Sequence, residues 1–521
     1  MRPFSARSRA APALAAVVLL GLVGCARKER AATVTVLSDR DIEGLDPHTA
    51  GTLFQTESFL SNVYEPLVST DADFKLVPAL ALSWTNADEL TWDFQIRPSV
   101  PFQSGGTLDA EDVVFSLKRA QEHPRSVRKA VLAEVATVEA TGPLAVRIRT
   151  LHSDALLATR LKEIAIVSRR FVLAHGDAAL AIPSCGTGAY RVLKREEGRY
   201  VEVERFDGHW RGPAPVRSAR FVAKSFGDAA AKPLVPDDSR LIFWARPGSP
   251  AFRTASAAYQ LYTRPNATVP YLAFDLRRDE SPAVVLPKGV KGNPFRDPLV
   301  REAIALSLDH RALARDDFLR TATQLVPPTV FGYDPTLAEP AFDRALARRL
   351  LASTPFRDGF DVELDVRKLQ ERFASALTES LLAIGIRTRL NLLDDDAFFA
   401  KLKDGRSSLY VLRFSCRSGD AQELFDRWVR SKDPEAGYGA ANYSYDVNPI
   451  AGLDEAIDAA RHEMNVRARQ ILLQEIMRRV MESRVAVPLV YEQDVTFVSR
   501  DLLWTPRADG FRQLFGVQLK E

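Results

Sequence analysis

The sequence lacks the composition that marks several classes of protein. Only three of its 521 residues are cysteine, which is too few for a fold stabilised by disulfides. Neither sign of charge dominates, because 70 Lys and Arg residues oppose 67 Asp and Glu residues and leave a formal net charge of +3. This balance gives no electrostatic basis for binding nucleic acid. The remaining composition, 46% hydrophobic and 26% charged, is that of a globular chain, and its length indicates about three domains.

Motifs of the common enzymes and metal sites are also missing from the sequence. None of the seven histidines forms an H-E-x-x-H metal motif, and there is neither a G-x-S-x-G nucleophile turn nor a phosphate-binding P-loop. A lone Gly186-Thr187-Gly188 is too short for a dinucleotide site. The acidic run at 394–396 fits the start of a helix better than a metal site. We therefore expect a protein that is not an enzyme, with no catalytic residue, no metal and no cofactor.

The N-terminus has the layout of an export signal. Three arginines within the first nine residues precede an apolar run at 11–23, which is too short to span a bilayer comfortably. The run ends in Leu22-Val23-Gly24-Cys25, a tetrad that resembles the bacterial lipobox. These features predict a lipoprotein signal peptide over 1–24, lipidation of Cys25 and a tether over 25–32. The alternative is an ordinary signal peptide with an incidental cysteine.

The rest of the chain predicts mixed α and β structure without repeats. Residues 90–97 alternate strictly between apolar and polar, which is typical of a half-buried strand. Two further strand-like runs, 190–194 and 200–205, flank a glycine and predict a hairpin. Asp109 is a good N-cap for a helix with one apolar face. The late strand-like run at 485–497 is expected to return to a sheet formed by earlier strands.

Seven segments, taken in order, carry a resemblance to a known family. They lie at 44–48 (GLDPH), 63–68 (VYEPLV), 76–84 (LVPALALSW), 90–97 (LTWDFQIR), 102–119, 186–190 (GTGAY) and 294–311. This succession resembles the peptide/nickel extracellular solute-binding proteins of ABC transporters, family 5, of the oligopeptide- and dipeptide-binding type. Most of these residues cap helices, pack or form turns, so the resemblance bears on the fold more than on the ligand.

The resemblance implies an α/β fold of the type II periplasmic-binding-protein kind. Two lobes, each with mixed β-sheets flanked by helices, are joined by a hinge, and a third domain elaborates one lobe. We expect lobe 1 to comprise 33–60, 183–262 and 490–521, with a domain inserted at 61–182, and lobe 2 to comprise 263–489. In such a fold the ligand is enclosed when the lobes close.

The expected binding loop departs from the family pattern. Oligopeptide binders carry an aspartate in lobe 2 that pairs with the α-ammonium of the peptide. A strict count places Arg417 near that aspartate, whereas Asp420 takes its place if the loop is shifted. The two favour opposite ligand charges, because an unpaired buried charge is costly. In a third interpretation Arg417 is solvated and Asp420 caps the following helix. Arg413 is a second candidate cation.

Four other residues are candidates for ligand contact by the same resemblance. Asn442 and Tyr443 supply a polar and an aromatic group, with a simple packed loop as the alternative. Asp41 and Glu43 precede the LDP stretch in a region that contacts ligand backbone in relatives, with solvent-exposed loop acids as the alternative.

Cys185 and Cys416 are the cysteines that remain after lipidation of Cys25. An exported compartment permits disulfides, so an interlobe disulfide between them is one possibility. Two buried, unpaired thiols are the other.

Together these features predict a lipid-anchored substrate-binding component of an ABC importer. It captures a small solute, by default a peptide, in the cleft between the lobes and delivers it to a membrane permease. We expect a monomer, exported and anchored in the periplasm or on the outer face of the cell membrane. The alternatives are a surface lipoprotein that acts as sensor or scaffold without transport, and a secreted hydrolase.

Overall fold

The computed structural model describes residues 33–180, 185–237 and 239–520. The predicted signal peptide, the tether and Cys25 lie outside these ranges. Within them, no helix is both long and apolar enough to cross a bilayer.

The described chain alternates between strands and helices. The strands are β1 (Thr33–Leu37), β2 (Val68–Thr70), β3 (Leu76–Pro78), β4 (Ala81–Asp88), β5 (Thr91–Ile96), β6 (Val135–Gly142), β7 (Ala145–Thr150), β8 (Tyr190–Glu196), β9 (Tyr200–Arg205), β10 (Ser218–Val222), β11 (Arg240–Phe243), β12 (Gln260–Pro265), β13 (Thr268–Phe274), β14 (Val284–Val285), β15 (Leu319–Thr321), β16 (Phe360–Arg367), β17 (Ile386–Leu393), β18 (Leu409–Ser415), β19 (Ala486–Pro488), β20 (Val490–Val498), β21 (Leu502–Leu503) and β22 (Gln518–Leu519). The helices are α1 (Phe54–Leu60), α2 (Ala110–Glu122), α3 (Leu157–Leu161), α4 (Arg169–His175), α5 (Pro250–Ala258), α6 (Pro298–Ser307), α7 (His310–Leu313), α8 (Arg344–Ala352), α9 (Ala374–Leu382), α10 (Asp395–Lys403), α11 (Gln422–Leu424), α12 (Leu453–His462) and α13 (Val466–Ser483).

Three sheets organise the molecule. The order β12-β20-β11-β1-β10-β9-β8, with β15 added at β20, forms the sheet of lobe 1. The order β14-β16-β18-β13-β19, with β17 added at β16, forms the sheet of lobe 2, and β4-β5-β7-β6 forms the sheet of the third domain. Each has a separate hydrophobic core, as expected for units that pack independently. The residue boundaries given above for the lobes stay a prediction.

Two direct connections between the lobe 1 and lobe 2 sheets lie next to each other. One connection joins β12 to β13 through residues 266–267, and the other joins β19 to β20 through Leu489. The late strand β20 pairs antiparallel with β11 and β12, so the predicted return to an earlier sheet is confirmed. Two short connections that run side by side in opposite directions form a hinge, because few backbone angles need to change for the lobes to move.

Local sequence signals account for several elements. The Asp109 side chain accepts a hydrogen bond from Asp112 N at 3.0 Å, and Asp109 N donates to the Asp112 carboxylate at 3.1 Å, which completes a capping box for α2. The hairpin expected from its glycine forms as β8 and β9. The acidic run at 394–396 begins α10, as predicted, with Asp394 just before the helix. Asp395 also pairs with Arg367.

The Gly186-Thr187-Gly188 turn is explained by a close backbone approach. A Cβ atom at Gly188 would lie 2.5 Å from the carbonyl carbon of Val63 and 2.6 Å from the carbonyl oxygen of Asn62. No side chain fits there, so glycine lets this turn pack directly on the backbone that follows α1. The turn therefore fixes lobe 1 against the start of the third domain.

Candidate functional site

A loop of lobe 2 that follows β18 lies where the lobes and the third domain meet. Its backbone is held from the third domain, because Lys162 Nζ donates to the carbonyl oxygens of Arg417 at 3.0 Å and Ser418 at 2.6 Å. It is also held from within lobe 2, where Ser418 N donates to the Glu423 carboxylate at 2.7 Å. Gly419 has a φ of 77° and lies against the ring of Phe74 from the third domain. The loop is thus the surface that lobe 2 presents to its neighbours.

Arg417 reaches from this loop to lobe 1. Its Nη1 lies 3.2 Å from a carboxylate oxygen of Glu57 and donates to the carbonyl oxygen of Thr52 at 3.2 Å. The guanidinium also lies 5.8 Å from the ring centroid of Phe54. The side chain keeps 46% of its accessible surface, so the contact is open to exchange. Arg417 therefore faces the space between the lobes.

Asp420 points away from that space. Its carboxylate receives two hydrogen bonds from the guanidinium of Arg469, at 2.6 and 2.9 Å, and both side chains are buried. It also accepts a hydrogen bond from Gln422 N at 3.0 Å, at the start of α11. A buried carboxylate that is already neutralised by arginine holds no capacity for a ligand amine in this geometry. Asp420 thus bonds to the backbone at the start of the following helix, as the third interpretation of this loop predicts.

Arg413 lies beside the hinge. Its Nη2 is 2.9 Å from the carboxylate of Glu492 on β20, and Arg372 pairs with the other oxygen of the same carboxylate. These ion pairs connect the strand β18 of lobe 2 to the strand that enters lobe 1. The guanidinium of Arg413 is thus held by an ion pair beside the hinge, and its role in ligand binding stays a prediction.

The remaining candidate contacts lie apart from Arg417. The amide oxygen of Asn442 accepts from Ser444 N at 2.9 Å within a buried turn, and the half-buried Tyr443 ring lies 6.5 Å from Phe399. Burial raises the pKa of Tyr443. The Asp41 carboxylate accepts from Gly198 N at 2.7 Å and so holds the β8–β9 turn.

Glu43 lies in the loop before α1. Its backbone N–H donates to Thr56 Oγ1 at 3.0 Å, and its exposed carboxylate covers Gly51. Glu43 thus lies beside Gly51 and Thr56, the chain neighbours of the Thr52 and Glu57 that Arg417 contacts, whereas no contact joins Asp41, Asn442 or Tyr443 to Arg417 in the described part of the chain. Their roles in ligand binding stay a prediction.

The two described cysteines do not form a disulfide. Cys185 and Cys416 are both free and buried, and they belong to different cores, one in lobe 1 and one in lobe 2. Cys416 Sγ donates to the carbonyl oxygen of Asp420 at 3.0 Å, and burial raises the pKa of the Cys185 thiol to about 12. This corrects the expectation of an interlobe bond, since each thiol packs as a small hydrophobic group instead.

Sequence reasoning missed most of the charges that surround Arg417. These charges, which we call the interlobe charge cluster, include Glu57, Arg128, Lys162, Glu163, Arg417 and Glu423. Burial raises the pKa of Glu163, and the like charge of Glu423 raises it further, whereas burial lowers the pKa of Lys162. No motif marks these residues, because they come from lobe 1, the third domain and lobe 2 and meet only in the folded chain.

A second group of charges lines lobe 1 nearby. Burial raises the pKa of Asp494, whose carboxylate accepts a hydrogen bond from Thr496 Oγ1 at 3.3 Å. The Nε of Arg512 is buried and has no hydrogen-bond partner among the residues that the structure describes. The Phe54 ring, which Arg417 covers, packs 5.6 Å from that of Phe511. Polar and aromatic groups of lobe 1 thus lie close to the Arg417 side chain of lobe 2.

A cavity of about 590 Å³ lies elsewhere, in the third domain between α2 and α4. Its carboxylates, Asp109 and Asp112, are occupied by the capping box, and Asp112 also accepts from Arg169 N at 2.8 Å. Burial raises the pKa of Asp112 to about 6. Because its polar groups already bond to one another and to the backbone, we place the functional site between the lobes rather than here.

Comparison with known proteins agrees with this architecture. The family model "Bacterial extracellular solute-binding proteins, family 5 Middle" matches residues 75–435. The "Glutathione-binding protein GsiB" of Salmonella paratyphi A is 23% identical over 517 residues, covering 96% of this chain and 97% of the relative. The "Dipeptide-binding protein" of Escherichia coli K12 is 20% identical over 459 residues, covering 80% and 82%.

Solved structures confirm the two-lobed fold. The ABC transporter substrate-binding protein CtaP of Listeria monocytogenes gives a TM-score of 0.80 at 18% identity, over 94% of this chain and 99% of that one. HbpA2 of Haemophilus parasuis gives 0.77 at 19% identity, over 94% and 100%. GsiB, the dipeptide-binding protein and CtaP are named for solute or substrate binding, and none of them is named as an enzyme. The chain belongs to family 5 of the bacterial extracellular solute-binding proteins, which confirms the resemblance carried by its seven segments.

Proposed function

We propose that the protein is the substrate-binding component of an ABC importer and that its ligand is a small peptide or peptide-like solute. The relatives named above bind glutathione and a dipeptide by their names, and the solved DppA of Helicobacter pylori, at a TM-score of 0.71, holds the peptide STSA. A closing cleft suits this task because it removes a solute from water while groups on both sides bind it.

The observation that carries the proposal is the exchangeable contact of Arg417 with Glu57 across the lobes. Glu57 has a second partner, since Arg128 Nη1 donates to its other carboxylate oxygen at 2.9 Å. When a ligand displaces Arg417 from Glu57, the glutamate therefore stays neutralised. The freed guanidinium can then form paired hydrogen bonds with a ligand carboxylate. We infer that Arg417 binds the anionic end of the solute.

A binding assay tests this role directly. Glutathione and a set of di- and tripeptides are titrated calorimetrically, each beside its C-terminal amide. We expect the free carboxylate to bind more tightly than the amide by about tenfold or more, and Arg417→Ala to abolish that preference. Arg406→Ala is the matched control, because Arg406 is an exposed arginine of lobe 2 that pairs with Asp404. Equal binding of acids and amides by the unmodified protein would contradict the proposal.

We also propose that Cys25 is lipidated and holds the mature protein at the membrane, where it delivers solute to a permease as a monomer. The apolar run and tetrad before Cys25 support this anchor. Expression of the full chain with a labelled fatty acid should give a labelled, membrane-associated protein. Cys25→Ala should lose both label and membrane association. Label that persists in this variant would place the lipid elsewhere or overturn the anchor.

A further inference from the structure

The turn between β2 and β3 of the third domain carries a buried aromatic residue in a strained conformation. Phe74 has a φ of 66°, in the left-handed region that bulky residues rarely adopt. The residue is nevertheless buried, with 8% of its surface exposed. It belongs to a hydrophobic cluster whose other members in the described chain, apart from Ala508 of lobe 1, all lie between residues 267 and 486. A side chain of the third domain thus completes a core of lobe 2.

Lobe 2 provides a matching recess for Phe74. Gly419 has a φ of 77°, and a Cβ atom there would lie 2.8 Å from Cδ1 of the Phe74 ring, so glycine leaves the space that the ring fills. Lys162 Nζ, from the third domain, lies 5.5 Å from the centroid of the same ring. The same ammonium donates to the carbonyl oxygens of Arg417 and Ser418. Two side chains of the third domain therefore hold one loop of lobe 2.

The turn that carries Phe74 is braced by lobe 1. Ala508 N donates to the carbonyl oxygen of Ala72 at 2.9 Å. Within the turn, the Asp71 carboxylate accepts hydrogen bonds from two later backbone N–H groups, at 2.8 and 3.0 Å. The strained backbone of Phe74 is thus fixed by its surroundings and keeps the ring directed at lobe 2.

The third domain is also fixed to lobe 1 away from this turn. Gln103 Nε2 donates to the carbonyl oxygens of Gly188 and Tyr190, both at 2.8 Å. The buried guanidinium of Arg119 pairs with the carboxylate of Asp46 at 2.7 Å. Because separating such buried polar partners is costly, we expect the third domain to move with lobe 1. Its contacts with lobe 2 therefore join two bodies that the hinge lets move apart.

We propose that the third domain acts as a clamp on lobe 2, formed by Phe74 and Lys162, and that this clamp keeps the closed arrangement populated before any solute binds. Closure buries an aromatic ring and makes two hydrogen bonds, and both lower the free energy of the closed arrangement. Ala155 N adds a further contact, because it donates to the carbonyl oxygen of Arg461 in α12 at 3.4 Å. The proposal goes beyond the proposed function, because the clamp depends on no particular solute.

The distance between two spin labels measures this closure in solution. Leu151→Cys in the third domain and Val466→Cys in lobe 2 provide the label sites, because both side chains are exposed. Each site lies near a histidine in the chain, and the rings of these histidines, His152 and His462, are 5.9 Å apart across the contact. The chain without its signal peptide carries Cys25→Ser, and its two buried cysteines stay in place. Pulsed electron paramagnetic resonance then records the distances without solute.

We expect the protein with an intact clamp to show a population at the distance that the closed structure gives for these sites. Phe74→Ala should lower the ratio of closed to open molecules by about tenfold or more, because it removes a buried aromatic ring. Lys162→Met keeps an apolar stem, removes the two hydrogen bonds and should lower the ratio as well. Leu173→Ala is the matched control, because it truncates an exposed apolar residue of the third domain on α4 and should leave the ratio unchanged.

Each contrary result has its own meaning. The proposal is overturned if the protein with an intact clamp shows no closed population, or if Phe74→Ala leaves the ratio unchanged. An equal shift in Leu173→Ala also overturns it, since any loosening of the third domain would then have the same effect. An effect of Phe74→Ala without one of Lys162→Met removes Lys162 from the clamp. If Phe74→Ala fails to fold, Lys162→Met decides. No solute enters the measurement, so these results leave the importer proposal standing.

Discussion

Asp420→Ala should destabilise lobe 2 strongly, because it removes the carboxylate that neutralises Arg469. Of its acceptors in the described part of the chain, the buried guanidinium would then keep the Ala460 carbonyl, at 3.0 Å, alone. Breaking a buried ion pair by deleting one partner costs about 3–5 kcal/mol. For a unit of about 150–250 residues each kcal/mol lowers Tm by roughly 2–4 °C, so we expect a loss of about 6–20 °C.

Differential scanning calorimetry measures this effect, with two variants that isolate its cause. Glu475→Ala removes an exposed partner of Arg478 on the same helix α13 and should cost at most about 1 kcal/mol. The double variant Asp420→Leu with Arg469→Met replaces the pair by apolar groups and should recover most of the lost Tm.

The reasoning is refuted if Asp420→Ala unfolds at the temperature of the Glu475→Ala control. If Asp420→Ala loses peptide binding and keeps its Tm, Asp420 is a ligand residue, and the loop is shifted as the alternative alignment allowed. A large loss of Tm identifies the carboxylate as structural.

Three further predictions concern packing and pH. Gly188→Ala should lower Tm and reduce the free energy of unfolding by about 1–3 kcal/mol or more, because the new Cβ would lie 2.5 Å from the Val63 backbone. Thermal unfolding measures the change in Tm, and an unchanged Tm would contradict the close approach. Burial lowers the pKa of His48 from 6.5 to about 4, so the unfolded state takes up a proton on this residue before the folded state does. The free energy of unfolding should therefore fall by roughly 3 kcal/mol as the pH drops from 6.5 to about 4. Urea unfolding of His48→Gln should lack this pH dependence, and an equal dependence in the variant would assign it to other groups. Burial and the like charge of Glu423 raise the pKa of Glu163, so the folded state takes up a proton on this residue before the unfolded state does. As the pH falls towards this raised pKa the unmodified protein should gain stability relative to Glu163→Gln; urea unfolding at several pH values measures the difference, and parallel pH profiles would contradict the raised pKa.

Local signals in the sequence predicted local structure well. Asp109 and Asp112 lie three residues apart, so a capping box depends only on the chain segment that contains them. The hairpin of β8 and β9 has the same local origin. The return of β20 to the first sheet was foreseen from the position of a strand-like run after a long helical region, and the family resemblance supported it.

Contacts between distant segments could not be predicted in this way. Asp420 and Arg469 are 49 residues apart, and no pattern in either segment predicts that the two side chains pair. Glu163 lies beside Glu57 and Glu423 only because three units converge, so composition and periodicity carry no sign of it. The choice between a disulfide and two unpaired thiols could not be made for the same reason; the structure has the thiols, since Cys185 and Cys416 pack into cores on different lobes.

Native mass spectrometry of the freshly purified protein tests the central claim most directly. We expect one small peptide or peptide-like solute to be bound per chain, and to be released with unchanged mass when the protein is unfolded. A protein that holds no such solute and binds neither glutathione nor any of the di- and tripeptides, or one that releases a chemically altered molecule, would contradict the account.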